Sequence, residues 1–313
     1  MRTMVVGGAG FIGSHLCEAL LKGGDEVICV DNLSLGRKEN IEHLFAADGF
    51  TFYEEDASDL NRLSLIFETA KPQYIYHLAA NSDIQASEKC PEIEYRNTYM
   101  TTWCVLECMR KYGVKHMFFA STSAIYGDKR DQILDENTAN LQPVSYYGAA
   151  KLGSESLISA FSYMNEMETL IFRFPNVIGP KLTHGVIYDF IKKLRNNSQE
   201  LEILGDGNQT KPYIYVEDLV EAIIRLSGNN NSRMEIYNVG VEGSTSVTEI
   251  ARMLCQEMKL NQVVFHYTGG EGGWKGDVPR FQYSLDKVHS AGWKAQYNSN
   301  EAVRKTIKEV LYG

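Results

Sequence analysis

Short apolar, β-branched runs alternate with amphipathic helical patterns through the first half of this chain, and that alternation restricts its architecture more than any other feature. The runs of strand length are Thr3 to Val6, Glu26 to Val30, Thr51 to Tyr53, Tyr74 to Leu78, Met117 to Ala120 and Leu170 to Phe174. Between them lie segments such as 14-SHLCEALLKGG-24, which opens on a serine suited to an N-terminal cap and closes on Gly-Gly. Consecutive strands separated by helices must cross over before they pair, so the pattern predicts an α/β fold, a doubly wound parallel sheet. After Pro175 the alternation loosens. Glycine-rich loops appear at 205-GDG-207 and 269-GGEGGWKGD-277, and helical patterns at 246-SVTEIARMLCQEM-258 and 300-NEAVRKTIKEVLY-312. The expected division is therefore 1–175 as the sheet domain, a return segment near 212–240 that carries a helix from Asp218 to Leu226, and 176–313 as a smaller substrate-binding portion. The chain shows no internal repeat and no low-complexity tract beyond the polar turn 228-GNNNS-232.

With 313 residues and 44% hydrophobic content the chain can bury a large core. A net charge of -9 argues against nucleic acid or an anionic membrane as partner, because both require clustered Lys and Arg. The start, MRTMVVGGAG, turns to glycine after a very short apolar run, and no stretch reaches the roughly 18 apolar residues of a membrane span. A cytoplasmic location is expected. The 6 cysteines form no CxxC pair and have no companion histidine cluster, which points to free thiols rather than bridges or a metal site.

The string 4-MVVGGAGFIGSHL-16 sets Gly7, Gly10 and Gly13 between a strand and a helix. There glycine permits a tight turn and close backbone approach, and the helix N-terminus offers unpaired amides to a pyrophosphate. A glycine turn without a ligand would read the same, and Asp31 separates the two readings. It ends the second run, 26-EVICVD-31, about 20 residues beyond the glycines, where a carboxylate accepts both ribose hydroxyls of a dinucleotide in a Rossmann-type sheet. The same acid repels a 2′-phosphate, so NAD is expected rather than NADP, with Arg37 and Lys38 as the nearby residues able to soften that preference. Asp56 ends the third run and either reaches the adenine or merely caps the strand end. The fourth run closes in 77-HLAAN-81, whose small residues let a cofactor lie against the backbone; His77 is expected to be buried and hydrogen-bonded rather than catalytic.

Beyond the fifth run, 121-STSAIYG-127 puts hydroxyls at the C-terminal edge of the sheet, where open α/β folds hold ligands, although Ser and Thr also cap loops there. Then comes 145-SYYGAAK-151. On a helix capped by Ser145, Tyr147 and Lys151 are i and i+4 and share a face, whereas Tyr146 is turned about 100° aside. A free phenol titrates near pH 10; an ammonium on its face and a positively charged nicotinamide nearby favour the phenolate and bring it toward neutrality. The same spacing also arises by chance on ordinary helices.

Taken in order, GGAGFIG, Asp31, HLAA, STSAIYG and YGAAK resemble the extended short-chain dehydrogenase/reductase family, of the NAD-dependent epimerase/dehydratase type, and within it the sugar-nucleotide epimerases similar to UDP-glucose 4-epimerase. The resemblance continues through 173-RFPNVIGP-180, 205-GDGNQTKPYIYVEDLVEAI-223, 237-YNVG-240 and 276-GDVPR-280. It implies that Tyr147 is the general base and acid, that Lys151 lowers its pKa and binds the ribose, and that Thr122 hydrogen-bonds the substrate hydroxyl. It implies that Gly7, Gly10, Phe11, Ile12 and Gly13 cradle the NAD pyrophosphate and that Asp31, Asn32 and Asp56 meet the adenosine. Ser34 and Ala57 join them as cofactor-binding residues, Leu78, Ala79 and Ala80 line the cofactor, and Asn97 supports its site. On the substrate side the resemblance assigns Asn176 to the sugar-nucleotide phosphates. Lys211 falls where many relatives carry an arginine for the pyrophosphate, a change that keeps the charge and loses the bidentate fork. The usual arginine before Gly-Asp is Trp274, which leaves Lys275 or Arg280 to supply that cation.

Departures from the family narrow the reaction. Relatives that are 4,6-dehydratases carry Thr-Asp-Glu where this chain has Thr122, Ser123 and Ala124, and UDP-glucuronate decarboxylases carry a glutamate in place of Ala124. Elimination and decarboxylation are therefore disfavoured. The expected function is an NAD-dependent 4-epimerase of a nucleotide-linked sugar, acting through a transient 4-keto intermediate that turns in its pocket. The same residues would serve a 4-dehydrogenase that releases the keto sugar, and the glycine loop alone would serve a non-catalytic dinucleotide-binding protein. The family also implies a homodimer packed through helices at about Asn97 to Tyr112 and Tyr147 to Tyr163.

Overall fold

The structure, a computed structural model, describes residues 1–228 and 232–313; Asn229, Asn230 and Asn231 of the polar turn lie outside the described residues. The expected strands form within a residue or two of their apolar runs: β1 (Arg2–Val6), β2 (Glu26–Asp31), β3 (Phe50–Glu54), β4 (Tyr74–His77), β5 (His116–Thr122) and then Glu168–Phe174. A further strand, Met234–Asn238, completes a 7-stranded sheet in the order Met234–Asn238, Glu168–Phe174, β5, β4, β1, β2, β3. From β3 to Glu168–Phe174 every pair is parallel, with Val6 opposite both Val30 and His77. The order reverses between β1 and β4, and a crevice opens outside the carboxyl ends of strands at such a switch point.

Parallel strands covered on both faces read as continuous apolar runs, and the two faces of these strands are filled by alternate residues. Met4, Ile28, Ile75, Met117, Phe119 and Ile171 share one core with Leu63, Ile66 and Phe67 of helix α2 (Leu60–Ala70), Val105 and Met109 of helix Thr101–Tyr112, and Ile158 of helix Tyr146–Asn165. Each such side chain stabilises the fold by roughly 1.5–3 kcal/mol relative to exposure. Helix Tyr146–Asn165 begins as expected, with Ser145 extended and its hydroxyl accepting from the Gly148 amide at 3.1 Å.

Helix α1 (Phe11–Lys22) begins one turn earlier than the serine signal suggested. Ser14 is not its cap: the residue is buried inside the helix, and its hydroxyl donates to the Phe11 carbonyl at 3.0 Å. Gly10 takes the N-cap position, because the glycine loop feeds straight into the helix, and no side chain caps it.

The chain divides into two compact units, one of residues 1–125, 141–174 and 220–237, the other of 126–140, 175–219 and 238–313. The second unit has its own core. Phe190 and Leu194 of helix Val186–Asn196, Ile250 and Leu254 of helix Val247–Glu257, and Val303 and Ile307 of helix Ser299–Tyr312 surround Leu201, Ile203, Tyr213 and Tyr215. The last two helices start in capping boxes, Ser246 with Glu249 and Asn298 with Glu301, which satisfy two orphan amides each. Its strands form short pairs, Glu200–Ile203 with Val264–Tyr267 and Asn176–Ile178 with Tyr213–Tyr215, both parallel. Cys17, Cys29, Cys90, Cys104, Cys108 and Cys255 are all free thiols. Among the described residues no helix is long and apolar enough to cross a membrane.

Candidate functional site

β1 delivers the chain into Gly7, whose φ of 86° lies in the left-handed region. A Cβ there would come within 2.6 Å of the Ala79 amide nitrogen, so only glycine lets the loop pass the end of β4. Gly13 is as tightly enclosed, since its Cβ would overlap the Gly7 carbonyl. The Gly7 amide donates to Val30 O at 2.8 Å, and the Leu78 and Ala79 amides both donate to Val6 O, at 2.9 and 2.8 Å. The loop is thus tied to the ends of β2 and β4 at the switch point. No side chain caps α1, so the amides of Phe11, Ile12 and Gly13 in its first turn are left for a ligand. This cradle, closed to any Cβ and open at its amides, fits a dinucleotide pyrophosphate.

Asp31 stands beside it. One carboxylate oxygen accepts from the Ala9 amide at 3.0 Å and the other from the Leu33 amide at 2.9 Å, which anchors the acid to the glycine loop itself. Burial raises its pKa, and those backbone donors oppose the rise. The Asn32 side-chain oxygen accepts from the Ser34 amide at 3.0 Å, shaping the turn that follows. Asp56 acts as a turn cap, accepting from the Ser58 amide at 2.8 Å and its hydroxyl at 2.7 Å, while its second oxygen lies 3.7 Å from Arg96. Ala57 is buried next to it. Asn97 lies in a π-helical stretch, Tyr95–Met100, and its carbonyl accepts from the Thr101 hydroxyl at 3.0 Å.

Thr122 ends β5, where its hydroxyl accepts from the Ala124 amide at 3.2 Å and its side chain lowers the pKa of the Tyr147 phenol. Tyr147 is half-buried while Tyr146 is exposed, the separation that helical rotation predicts for neighbours. Gly148 lets the helix come this close, for a Cβ there would sit 2.6 Å from Ala124 O. Lys151 is 2% exposed, with its ammonium donating to Ala120 O at 2.6 Å and lying 4.6 Å over the Phe119 ring.

Burial pushes the Lys151 ammonium down to about 7, against the fields of Glu94 and Glu155. Burial also raises the Tyr147 phenol, Glu94 adds to the rise, and only Thr122 lowers it. The phenolate expected from the Tyr-Lys spacing is therefore not favoured by the protein alone. Spacing registers the nearby ammonium but not the desolvation of the phenol. A second positive charge beside Tyr147 is needed to reverse the sign, and an oxidised nicotinamide carries one. His77 behaves as expected: fully buried, 3.0 Å from the Thr102 hydroxyl, and pushed down to about 3 chiefly by burial and also by Lys151.

Two buried carboxylates around Lys151 escaped the sequence reading. Glu155 lies one turn further along the same helix and is clamped by Arg173, whose Nη2 is 2.7 Å and Nε 3.1 Å from its oxygens, with Ser121 also donating to it. The i, i+4 spacing from Lys151 would have found it. Glu94 accepts from Asn81 and Thr98, residues of separate segments, and no local pattern announces it.

The substrate-side candidates belong to the second unit. Asn176 is exposed at the start of its strand, in register with buried Tyr213 of the parallel partner strand. Lys211 pairs with Asp277 and lies 5.4 Å over the Trp274 ring, so the aromatic residue at the usual arginine position packs against the cation that remains. Arg280 is engaged with Asp131 at 3.2 Å near the surface, and Lys275 is exposed.

Known proteins extend this picture. Over 310 residues the chain is 32% identical to a putative UDP-glucose 4-epimerase of Methanocaldococcus jannaschii, covering 97% of this chain and 96% of that one. Over 316 residues it is 29% identical to the dTDP-D-glucose 4,6-dehydratase of Mus musculus, covering 98% and 88%. The crystal structure of a Thermus thermophilus UDP-glucose 4-epimerase in complex with NAD matches with a TM-score of 0.87 at 29% identity, covering 100% of both chains. Residues 3–240 match the model of the NAD dependent epimerase/dehydratase family, and with the glycine cradle, Asp31 and the Thr122–Tyr147–Lys151 cluster in place the chain belongs to that family of enzymes.

Proposed function

We propose that the chain is an NAD-dependent 4-epimerase of a nucleotide-linked sugar of the UDP-glucose class. The observation that carries this reading is Thr122 at the end of β5 acting on the Tyr147 phenol, followed by Ser123 and Ala124, which supply no second acid or base. A hydroxyl proton can be moved there, and neither Ser123 nor Ala124 can assist loss of water. Similarity to UDP-glucose 4-epimerases over nearly the whole chain supports the same reading.

Gly7, Gly10, Phe11, Ile12 and Gly13 would hold the pyrophosphate of NAD and Asp31 its adenosine ribose, with Asn32, Ser34, Asp56, Ala57, Leu78, Ala79, Ala80 and Asn97 around them. When bound, NAD supplies a hydride acceptor and, afterwards, a hydride donor. Tyr147 takes the proton of the sugar 4-hydroxyl and later returns it to the same oxygen. Thr122 orients that hydroxyl, and Lys151 holds positive charge beneath the phenol. Asn176 and Lys211 are proposed ligands of the nucleotide phosphates, with Arg280 as a further cation.

Purified protein incubated with UDP-glucose and no added cofactor should form the 4-epimer, followed by proton NMR, and Tyr147→Phe should lower kcat by about 10²–10⁴-fold. Product that appears only with a stoichiometric oxidant would establish a 4-dehydrogenase instead, and a 4-keto-6-deoxy product would establish a dehydratase.

The chain is further proposed to work as a homodimer joined through the helices at Asn97 to Tyr112 and Tyr147 to Tyr163. Tyr95 and Met164 near these helices are 58% and 76% exposed, large apolar side chains that a second copy would cover. Light scattering should give twice the 35.3 kDa of one chain, and a monomer at micromolar concentration would refute the assembly.

A further inference from the structure

Helix Tyr146–Asn165 meets the end of β5 and the turn after it at three successive helical turns. Gly148, next to Tyr147, lies so near that a Cβ would sit 2.6 Å from Ala124 O. Lys151 donates to Ala120 O at 2.6 Å, and Glu155 accepts from the Ser121 hydroxyl. The residues held in this way, Ala120, Ser121 and Ala124, bracket Thr122. Ser121, Lys151 and Glu155 are each at most 5% exposed, so both hydrogen bonds are made away from solvent.

Glu155 is itself held by strand Glu168–Phe174. Arg173 stands opposite Ser121 in the register of the two parallel strands, so both side chains leave the same face of the sheet and converge on the carboxylate. The Arg173 Nη2 lies 2.7 Å from one Glu155 oxygen and its Nε 3.1 Å from the other, and Arg173 is buried as well. A buried ion pair stabilises a fold only weakly, because desolvation of the two charges offsets their attraction and apolar side chains of similar volume often serve as well. What this pair supplies is direction. A planar fork that engages both oxygens fixes the plane of the carboxylate, and with it the position at which the Ser121 hydroxyl is received. The apolar core that the helix shares with Met117, Phe119 and Ile171 is non-directional and sets no such position.

We propose that Arg173, Glu155 and Ser121 are positioning residues for the proton transfer: together they fix the register of helix Tyr146–Asn165 on β5, and so the place of Thr122 relative to Tyr147 and Lys151. The idea rests on the acid–base reading of those three residues. It assigns the clamp no proton and no ligand; its effect is on the chemical step and not on the affinity for substrate.

Ser121→Ala in the full-length protein, saturated with NAD, deletes one hydroxyl and leaves the Arg173–Glu155 pair whole. Its kcat on UDP-glucose should fall roughly tenfold with KM unchanged. The Ala124 amide, which donates to Thr122 Oγ1 at 3.2 Å, should exchange with deuterium several-fold faster, read by NMR without turnover. Arg173→Lys keeps a charge opposite Glu155 but gives up the two-point hold, and it should change both readouts in the same direction. A clamp that served stability alone would lower the melting temperature and move neither. Either readout unmoved in Ser121→Ala overturns the proposal, as does a raised KM with kcat unchanged. A wild-type protein that leaves UDP-glucose unchanged would overturn the function proposed above; Ala124 exchange in the two variants would still decide whether the clamp holds Thr122, and unchanged exchange would overturn it.

Discussion

Lys151 and Tyr147 illustrate how far a pair of residue types can be read before their surroundings are known. Their i, i+4 spacing correctly separates Tyr147 from exposed Tyr146, and the chemistry of a phenol beside an ammonium is legible in SYYGAAK. The charge states are not, because desolvation of both groups and the field of Glu94 arise from segments distant in sequence. His77 shows the same contrast with a measurable consequence. Its place in an apolar strand forecasts burial, and the fold holds its pKa at about 3 against the ordinary 6.5. Between those values the unfolded chain binds a proton that the folded chain refuses. The associated stability is complete above pH 6.5 and is lost progressively as pH falls toward 3, by an amount on the order of a few kcal/mol. Thermal unfolding across this interval should show a shallower decline for His77→Gln than for the wild type; parallel declines would mean that His77 is not the group responsible.

At the scale of elements, strand positions were legible because β-branched runs buried on both faces leave little ambiguity in length or type. Helix starts were legible where a side chain does the capping, as at Ser145, Ser246 and Asn298. They were not where backbone does it. Ser14 imitates a cap one turn inside α1, whose real start at Gly10 is recognisable only through the glycine loop. That difference matters for function, since a capping hydroxyl would occupy an amide that the cradle leaves open. The π-helical stretch Tyr95–Met100 is likewise invisible as a pattern, yet it brings Thr98 to Glu94 and places Asn97 at the start of helix Thr101–Tyr112. Of the substrate side, the sequence reveals that an arginine is replaced by Trp274. It does not reveal that Lys211 and Asp277 close on each other beside the indole, because the partners are brought together only by the second unit's short strands and loops.

For the whole molecule the informative quantity is how the sheet obtains its last strand. Apart from residues 126–140, the chain runs through the first unit to Phe174, leaves it, and returns with residues 220–237. Strand Met234–Asn238 then covers the open edge of Glu168–Phe174. The Thr169 amide donates to Arg233 O at 3.0 Å, and the Tyr237 ring meets Phe172 edge-on at 6.1 Å. Buried Val220, Ala222 and Ile223 of helix Val216–Ser227 come with the same return. A fragment of residues 1–175 contains every residue proposed to bind NAD or move the proton, yet it lacks this cover. Its strand Glu168–Phe174, almost entirely buried in the intact chain, would present an apolar edge with unpaired amides and carbonyls, a template for association with other chains. The fragment is therefore expected to aggregate, or to melt without a cooperative transition, and to retain no NAD, while the full chain melts cooperatively. Calorimetry and size-exclusion chromatography of the two make the comparison. A soluble 1–175 fragment with a sharp transition and bound NAD would show that the returning strand is dispensable, and that the sheet is stable with six of its strands alone.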